Sequence, residues 1–139
     1  MRLPDDNDFI APEDDAFIPP EDNEFCIALV KAVPALAPLM KKHLEMEEGE
    51  LLSYMFLSEV ARWAEENALT NTEDVRLVID ALNEGLETGE GDVPNLIAVG
   101  FGESPGLKGA VIPLLTGELR EWYDYDSGIT STPPRLRSQ

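Results

Sequence analysis

Apolar residues recur every three or four positions through the middle of the chain, and this spacing predicts two amphipathic helices. The first runs through ELLSYMFLSEVARWAEENAL, and the second follows the helix-start signal TNTEDV. Thr70 and Glu73 match a capping box in that signal. Asn71 and Thr72 are alternative caps. The residues that the two apolar stripes assign to the core are Leu52, Phe56, Val60, Trp63, Val75, Val78, Ile79, Leu82 and Leu86.

The apolar segment before these helices, FCIALVKAVPALAPLMKKHLE, is compatible with helix but contains two prolines. Pro34 and Pro38 predict a break into two short helices, because proline removes a backbone donor and clashes with the preceding turn. Cys26 lies among apolar residues, which predicts a small buried side chain rather than a reactive thiol. His43 follows two lysines near the end of the segment, which predicts a solvated helix terminus.

The remaining segments complete the predicted fold. DVPNLIAVGFG suits a strand or a helix, and we predict a helix because its neighbours are helical and no partner strand is visible. LKGAVIPLL predicts a short helix interrupted at Pro113, and TGELREWYDYD predicts a last helix. The predicted fold is therefore all-α, with about six short helices in a compact bundle or in stacked helical hairpins. Its helical domain spans residues 25–126, between an arm of residues 1–24 and a polar tail of residues 127–139.

The N-terminal arm carries a repeated unit, DFIAPEDD followed by AFIPPEDN, that places Phe9 and Phe17 eight residues apart. Nine acidic residues, one arginine and four prolines predict that this arm is extended and disordered by itself. The Phe-Ile pairs at a fixed interval suggest anchors that dock into apolar pockets of a partner while the acids meet its basic surface. The alternative is a tail that acts only through solubility.

Charge narrows the class of partner. The formal net charge is −18, which excludes a conventional nucleic-acid binder, because that needs Lys and Arg against phosphates. An anionic membrane surface would also repel the chain. A basic protein partner is favoured, although the charge can also serve solubility alone. Besides Phe9 and Phe17, the predicted partner-binding residues are Glu65, Glu66, Asp80, Glu84 and Glu87.

Cysteine content and hydropathy point to the compartment. With one cysteine no internal disulfide can form, which fits a reducing environment. No apolar run approaches the roughly 20 residues of a membrane span, and the first residues lack the apolar core of a signal peptide. We therefore expect a cytoplasmic protein that does not enter a membrane.

Catalytic motifs are sparse. The serines lie in no G-x-S-x-G motif, and GFGESPG is not followed by the Lys-Ser/Thr of a phosphate loop. Asp80, Glu84 and Glu87 lie one helical turn apart, but a metal site would normally recruit histidine as well. We predict no catalytic residue, no metal and no cofactor, so the chain is expected not to be an enzyme. A metal-dependent enzyme is the remaining alternative.

The segments NLIAVGFGESP and LLTGELREWYDYD, with the helix LSYMFLSEVARWAEE, resemble a group of small acidic all-helical bacterial immunity proteins encoded beside secreted toxins. The resemblance covers roughly residues 50–126 and departs from the group's pattern at Gly100, Gly102 and Thr116-Gly117. It implies a helical fold and a toxin-binding role. The residues that carry it are Leu96, Ile97, Ala98, Val99, Phe101, Glu103, Leu115, Gly117, Glu118, Leu119, Arg120 and Trp122.

These observations lead to a functional hypothesis, with alternatives of other classes. The first is an immunity protein that binds a basic cognate toxin, for instance a nuclease, and occludes its active or substrate-binding surface. A DNA mimic that blocks a nucleic-acid-binding protein is the second, and an adaptor or chaperone for a secreted effector is the third. The sequence determines neither the toxin nor the oligomeric state.

Overall fold

The computed structural model describes residues 20–131, and within that range it is all-helical, with six α-helices and no strand. The all-α prediction is confirmed. A π-helix over Leu96–Gly102 continues α5, and 3-10 turns lie at Pro34–Leu36 and Ile112–Leu114. The α-helices are α1 (Pro20–Ala32), α2 (Ala37–Met46), α3 (Ser53–Asn67), α4 (Thr72–Thr88), α5 (Val93–Asn95) and α6 (Gly117–Asp126).

Helices α3 and α4 supply much of the core, as their apolar stripes predict. Seven of the nine predicted core residues are buried. Leu52 and Trp63 are only half-buried: Leu52 precedes the first turn of α3, and Trp63 lies in the wall of a surface cavity. Asn71 is the N-cap residue of α4, as one of the three alternatives had it. The buried members of the predicted set are Phe56, Val60, Val75, Val78, Ile79, Leu82 and Leu86.

Glycines permit the closest approaches between helices. A Cβ atom on Gly100 of the π-helix would lie 3.1 Å from Leu57 Cβ in α3. A Cβ atom on Gly85 of α4 would lie 2.6 Å from Ile97 Cδ1 and 2.8 Å from Phe25 Cε1. A Cβ atom at either position would therefore require the neighbouring side chains to shift. The preference for helix over strand in this segment is confirmed.

The prolines divide the first apolar segment as predicted, but the first helix begins earlier. Helix α1 starts at Pro20, not at Phe25, so five residues assigned to the arm are helical. Proline suits the first turn of a helix, because its fixed φ is helical and its missing N–H has no acceptor there. Glu21 and Asp22 then lie at the positive end of the helix dipole. Phe9 and Phe17, and the tail from residue 132, lie outside the described residues.

The segment LKGAVIPLL is not the predicted short helix. It is a loop that ends in the 3-10 turn Ile112–Leu114. The last helix, α6, follows as predicted and buries Leu119. Within residues 20–131, no single helix is long and apolar enough to cross a bilayer; α1 and Pro34–Met46 reach that length only together, and they are bent by 113°.

Candidate acidic site at the end of helix α4

Three of the predicted partner-binding acids lie on one exposed face of α4. Asp80, Glu84 and Glu87 follow one another at helical spacing, and all three side chains are exposed. We call these three residues the acidic stripe. Leu77 extends the same face by one turn and is 47% exposed. The opposite face of α4 enters the core, so packing fixes the direction in which the stripe points.

A groove between α1 and α4 borders the acidic stripe on one side. Its volume is about 470 Å³, and its floor is made of small or aromatic side chains that include Phe25, Ala28 and Ala81. Glu84 and Glu90 stand at this groove. We call it the α1–α4 groove. Gly85 lines this groove as well, and its lack of a side chain leaves room for the Phe25 ring.

A second groove lies between the end of α4, the π-helix and α6. Its volume is about 530 Å³, and its apolar wall includes Ala98, Val99 and Trp122. We call it the π-helix groove. Val99 is 39% exposed although it lies within an otherwise buried run, and π-helical turns are frequent at functional sites. Exposed Glu87 and Glu103 border this groove.

The C-terminal turn of α4 joins the two grooves. Thr88 and Gly89 line both, Glu84 borders the first and Glu87 borders the second. The free carbonyl groups at this helix end add partial negative charge. Among the described residues, no lysine, arginine or histidine lines either groove. The site therefore presents apolar surface inside a negative field.

Glu65, another predicted partner-binding residue, lines neither groove, and its contact with a partner stays a prediction. Its carboxylate accepts hydrogen bonds from the four backbone N–H groups of Lys108–Val111, at 2.8 to 3.2 Å. Burial raises the pKa of Glu65, but these four bonds lower it more, to about 2. Glu65 thus fastens a loop to α3. Its neighbour Glu66 is exposed and borders a different cavity, of about 400 Å³, beside Trp63.

A buried acid near the start of α1 was not anticipated from the sequence. Asp22 is 1% exposed, and no N–H or hydroxyl donor of the described residues reaches either of its carboxyl oxygens. Burial, the neighbouring Asp92 carboxyl and the charge of Glu21 raise the pKa of Asp22 to about 7. Asp22 lies in an acidic, proline-rich stretch, and that sequence pattern predicts a solvent-exposed side chain. The carboxyl group of Asp92 comes from a loop 70 residues further along the chain.

Comparison with known proteins supplies a family. A model of a domain of unknown function (DUF7674) matches residues 26–128. The chain belongs to the DUF7674 family. No curated protein and no solved structure matches the chain. The family description states no activity, so the resemblance to immunity proteins stays a prediction.

The DUF7674 domain contains the acidic stripe, the π-helix groove, the α1–α4 groove except Glu21, Glu24 and Phe25, and the segment of the predicted resemblance. Part of that segment has a structural role. Asn83 of α4 accepts a hydrogen bond from the Leu119 N–H at 2.8 Å and donates to the Thr116 carbonyl at 2.9 Å. Gly117 lies between them with φ of +59°. Asn83 therefore caps α6 and holds its Trp122 against the π-helix groove.

His43 and Cys26 of the DUF7674 domain are both buried in the packed helices. His43 is buried, not solvated: its Nε2 accepts from the Leu52 N–H and its Nδ1 lies 3.0 Å from Glu59 Oε1. Since Nε2 accepts, Nδ1 carries the proton and donates to Glu59, and the ring is neutral. Cys26 is buried as predicted, and burial raises the pKa of its thiol to about 12. Within residues 20–131, no three His, Cys, Asp or Glu side chains are placed to hold a metal ion.

Proposed function

We propose that this DUF7674 protein is a non-catalytic inhibitor of a basic protein, and specifically an immunity protein that neutralises a cognate bacterial toxin in the cytoplasm. The observation that carries the proposal is the acidic stripe on α4 between two grooves with apolar walls. Protein interfaces combine an apolar centre with a polar rim, and this end of the molecule offers both.

The rim charges favour a partner with lysine and arginine around an apolar contact. Glu84, Glu87 and Glu103 are exposed, and no basic side chain of the described chain lines the grooves beside them. Such a one-sided field speeds the approach of a basic surface and repels an acidic one. The carboxylates would be engaged only on binding.

The apolar walls favour anchoring side chains from the partner. A few large side chains that lose contact with water supply most of the affinity of typical interfaces. The π-helix groove has room for such a side chain beside Val99 and Trp122. A toxin that acts on an anionic substrate, such as a nuclease, has the basic cleft that this surface would occlude.

Co-expression tests the proposed function directly. The proteins encoded next to this chain are expressed singly and together with it, and cell growth is recorded. We expect one neighbour to arrest growth alone, to be tolerated with this chain, and to co-purify with it. If no neighbour is toxic, or if toxicity persists although the chain is produced, the immunity function is wrong.

The arm is a separate part of the proposal. Replacing both Phe9 and Phe17 with Ala should leave the melting temperature of this protein nearly unchanged. The same change should weaken its binding to the toxic partner by about 2 kcal/mol or more, the scale of aromatic anchors. Calorimetric titration and a thermal melt measure both. A lower melting temperature with full affinity would place the anchors on the protein's own helices instead.

A further inference from the structure

The first turn of α1 meets the loop before α5 through carboxyl groups. Asp22 is 1% exposed, and no N–H or hydroxyl donor of the described residues reaches either of its carboxyl oxygens. The Asp92 carboxyl lies beside it, and Glu21 contributes further negative charge. Two ionised carboxylates cannot share a buried position without large repulsion. One of the pair must therefore hold a proton when the turn and the loop are packed together.

Hydrogen bonds distinguish the two carboxyl groups. The Tyr54 hydroxyl donates to Asp92 Oδ2 at 2.6 Å, and the Asn95 amide donates to that hydroxyl at 2.7 Å. The tyrosine thus uses its only proton on Asp92. Asp22 receives no such donor, so the proton belongs on Asp22.

The turn and the loop are also joined by backbone contacts. The Asp92 N–H donates to Glu21 Oε2 at 3.1 Å. Gly91 has φ of +60°, and a Cβ atom there would collide with the same Glu21 oxygen. Both contacts hold Glu21 against the loop, next to the buried Asp22.

We propose that a proton shared by Asp22 and Asp92 is a pH-dependent latch, whose loss as the pH rises loosens the first turn of α1 from the loop Gly89–Asp92. The same turn and loop supply Glu21, Gly89 and Glu90 to the α1–α4 groove. The latch therefore controls one wall of that groove and the point where the N-terminal arm enters the domain. It does not depend on the proposed immunity function.

The sign of the pH dependence is opposite to that of most acids. The pKa of Asp22 is about 7 in the folded chain against an ordinary value of 3.8. Between these values the folded chain keeps the proton and the unfolded chain releases it, so stability falls as pH rises through this range and levels off above about pH 7. The other titratable groups at the site are Glu21 and Cys26 on α1, Tyr54 on α3 and Asp92 itself.

Carboxyl-carbon NMR on the full chain tests the shared proton, with the Asp22 signal assigned by its loss in Asp22→Asn. We expect a titration midpoint near 7 for Asp22, and a midpoint at least about one pH unit lower in Asp92→Asn. A midpoint below about 5 in the parent chain would overturn the proposal, and so would an unchanged midpoint in Asp92→Asn.

Thermal melts from about pH 5 to about pH 8 test the link to stability. The side-chain amide introduced by Asp22→Asn can donate to Asp92 as the protonated acid does. In the Asp22→Asn protein, the melting temperature should therefore no longer fall as pH rises. At pH 8 it should be about 4 °C or more above that of the parent. Asp126→Asn, an exposed acid at the end of α6, is the matched control and should keep the parent's slope. Equal slopes in the parent and Asp22→Asn would contradict the latch.

Amide exchange tests the loosening itself. After correction for the intrinsic rate, exchange of the Asp92 N–H should rise about tenfold from about pH 6 to about pH 8 in the parent and stay constant in Asp22→Asn. If this exchange rate stays constant in the parent although Asp22 titrates near 7, loss of the proton does not loosen the turn from the loop. That result would overturn the latch.

Discussion

Glu65 and Asp22 are both carboxylates held against the body of the domain, and their surroundings differ in burial, in neighbouring charge and in hydrogen-bond donors. Four backbone N–H groups surround the Glu65 carboxylate, whereas the oxygens of Asp22 meet no donor among the described residues. The pKa of Glu65 is lowered to about 2 and that of Asp22 is raised to about 7. Burial and the neighbouring acids raise the pKa of Asp22, whereas at Glu65 the backbone donors outweigh the effect of burial.

The acidic stripe is the third case and sharpens this contrast. Asp80, Glu84 and Glu87 are exposed, so water solvates their charges and no fixed donor of the fold is needed. Such charges add little to stability but act at a distance on a partner. The same chemical group thus fastens a loop at Glu65, has a raised pKa at Asp22 and is a solvated surface charge in the acidic stripe.

The largest expected loss of stability serves as a reference that does not depend on pH. Ile79 is buried at 1% exposure in α4, and its replacement by Ala should cost about 2–5 kcal/mol through an unfilled cavity. Urea unfolding at about pH 4 and at about pH 7 should give the same loss, because no titrating group is removed. A loss below about 1 kcal/mol would mean that α4 packs less tightly than the structure has it.

Glu65→Ala should cost somewhat less, about 3 kcal/mol at pH 7, because it leaves four N–H groups of the loop Lys108–Val111 without their acceptor. The pKa of Glu65 is depressed, so its contribution is complete above about 4.5 and is lost as pH falls towards 2. In urea unfolding, the difference from the parent should therefore shrink below about pH 4.5, unlike that of Ile79→Ala.

Glu66→Ala is the matched control for Glu65, since it removes the next carboxylate on the same helix from an exposed position. It should change the free energy of unfolding by less than about 0.5 kcal/mol. Equal effects of the two substitutions in urea unfolding would contradict the role of Glu65 as a fastening.

The acidic stripe should show the smallest effect on stability. The triple variant Asp80→Asn, Glu84→Gln, Glu87→Gln should unfold within about 0.5 kcal/mol of the parent. Its association with the partner found by co-expression should slow about tenfold at low salt and little at high salt, in stopped-flow measurements.

A second triple variant separates local from overall charge. Glu45→Gln, Glu48→Gln, Glu50→Gln removes the same charge from exposed positions that line neither groove. If it slows association as much as the stripe variant does, net charge and not the stripe guides the partner.

The sequence by itself determined the features that depend on spacing along one element. Helical periodicity identified Phe56 and Ile79 as core residues, prolines ended the first helix near Pro34, and a three- or four-residue interval put Glu84 and Glu87 on one face. These features follow from backbone geometry within a few turns, so neighbouring residues suffice to predict them.

Only the tertiary structure decided the fate of polar residues whose partners lie far along the chain. Glu65 meets N–H groups up to 46 residues away, Asn83 caps a helix start 36 residues away, and Glu21 binds the N–H of a loop 71 residues away. The sequence around these residues, a polar helix face or an acidic arm, predicts side chains that are exposed to solvent. A polar side chain enters the interior only where packing brings it a matching group, and the packing of distant segments leaves no periodic trace in the sequence.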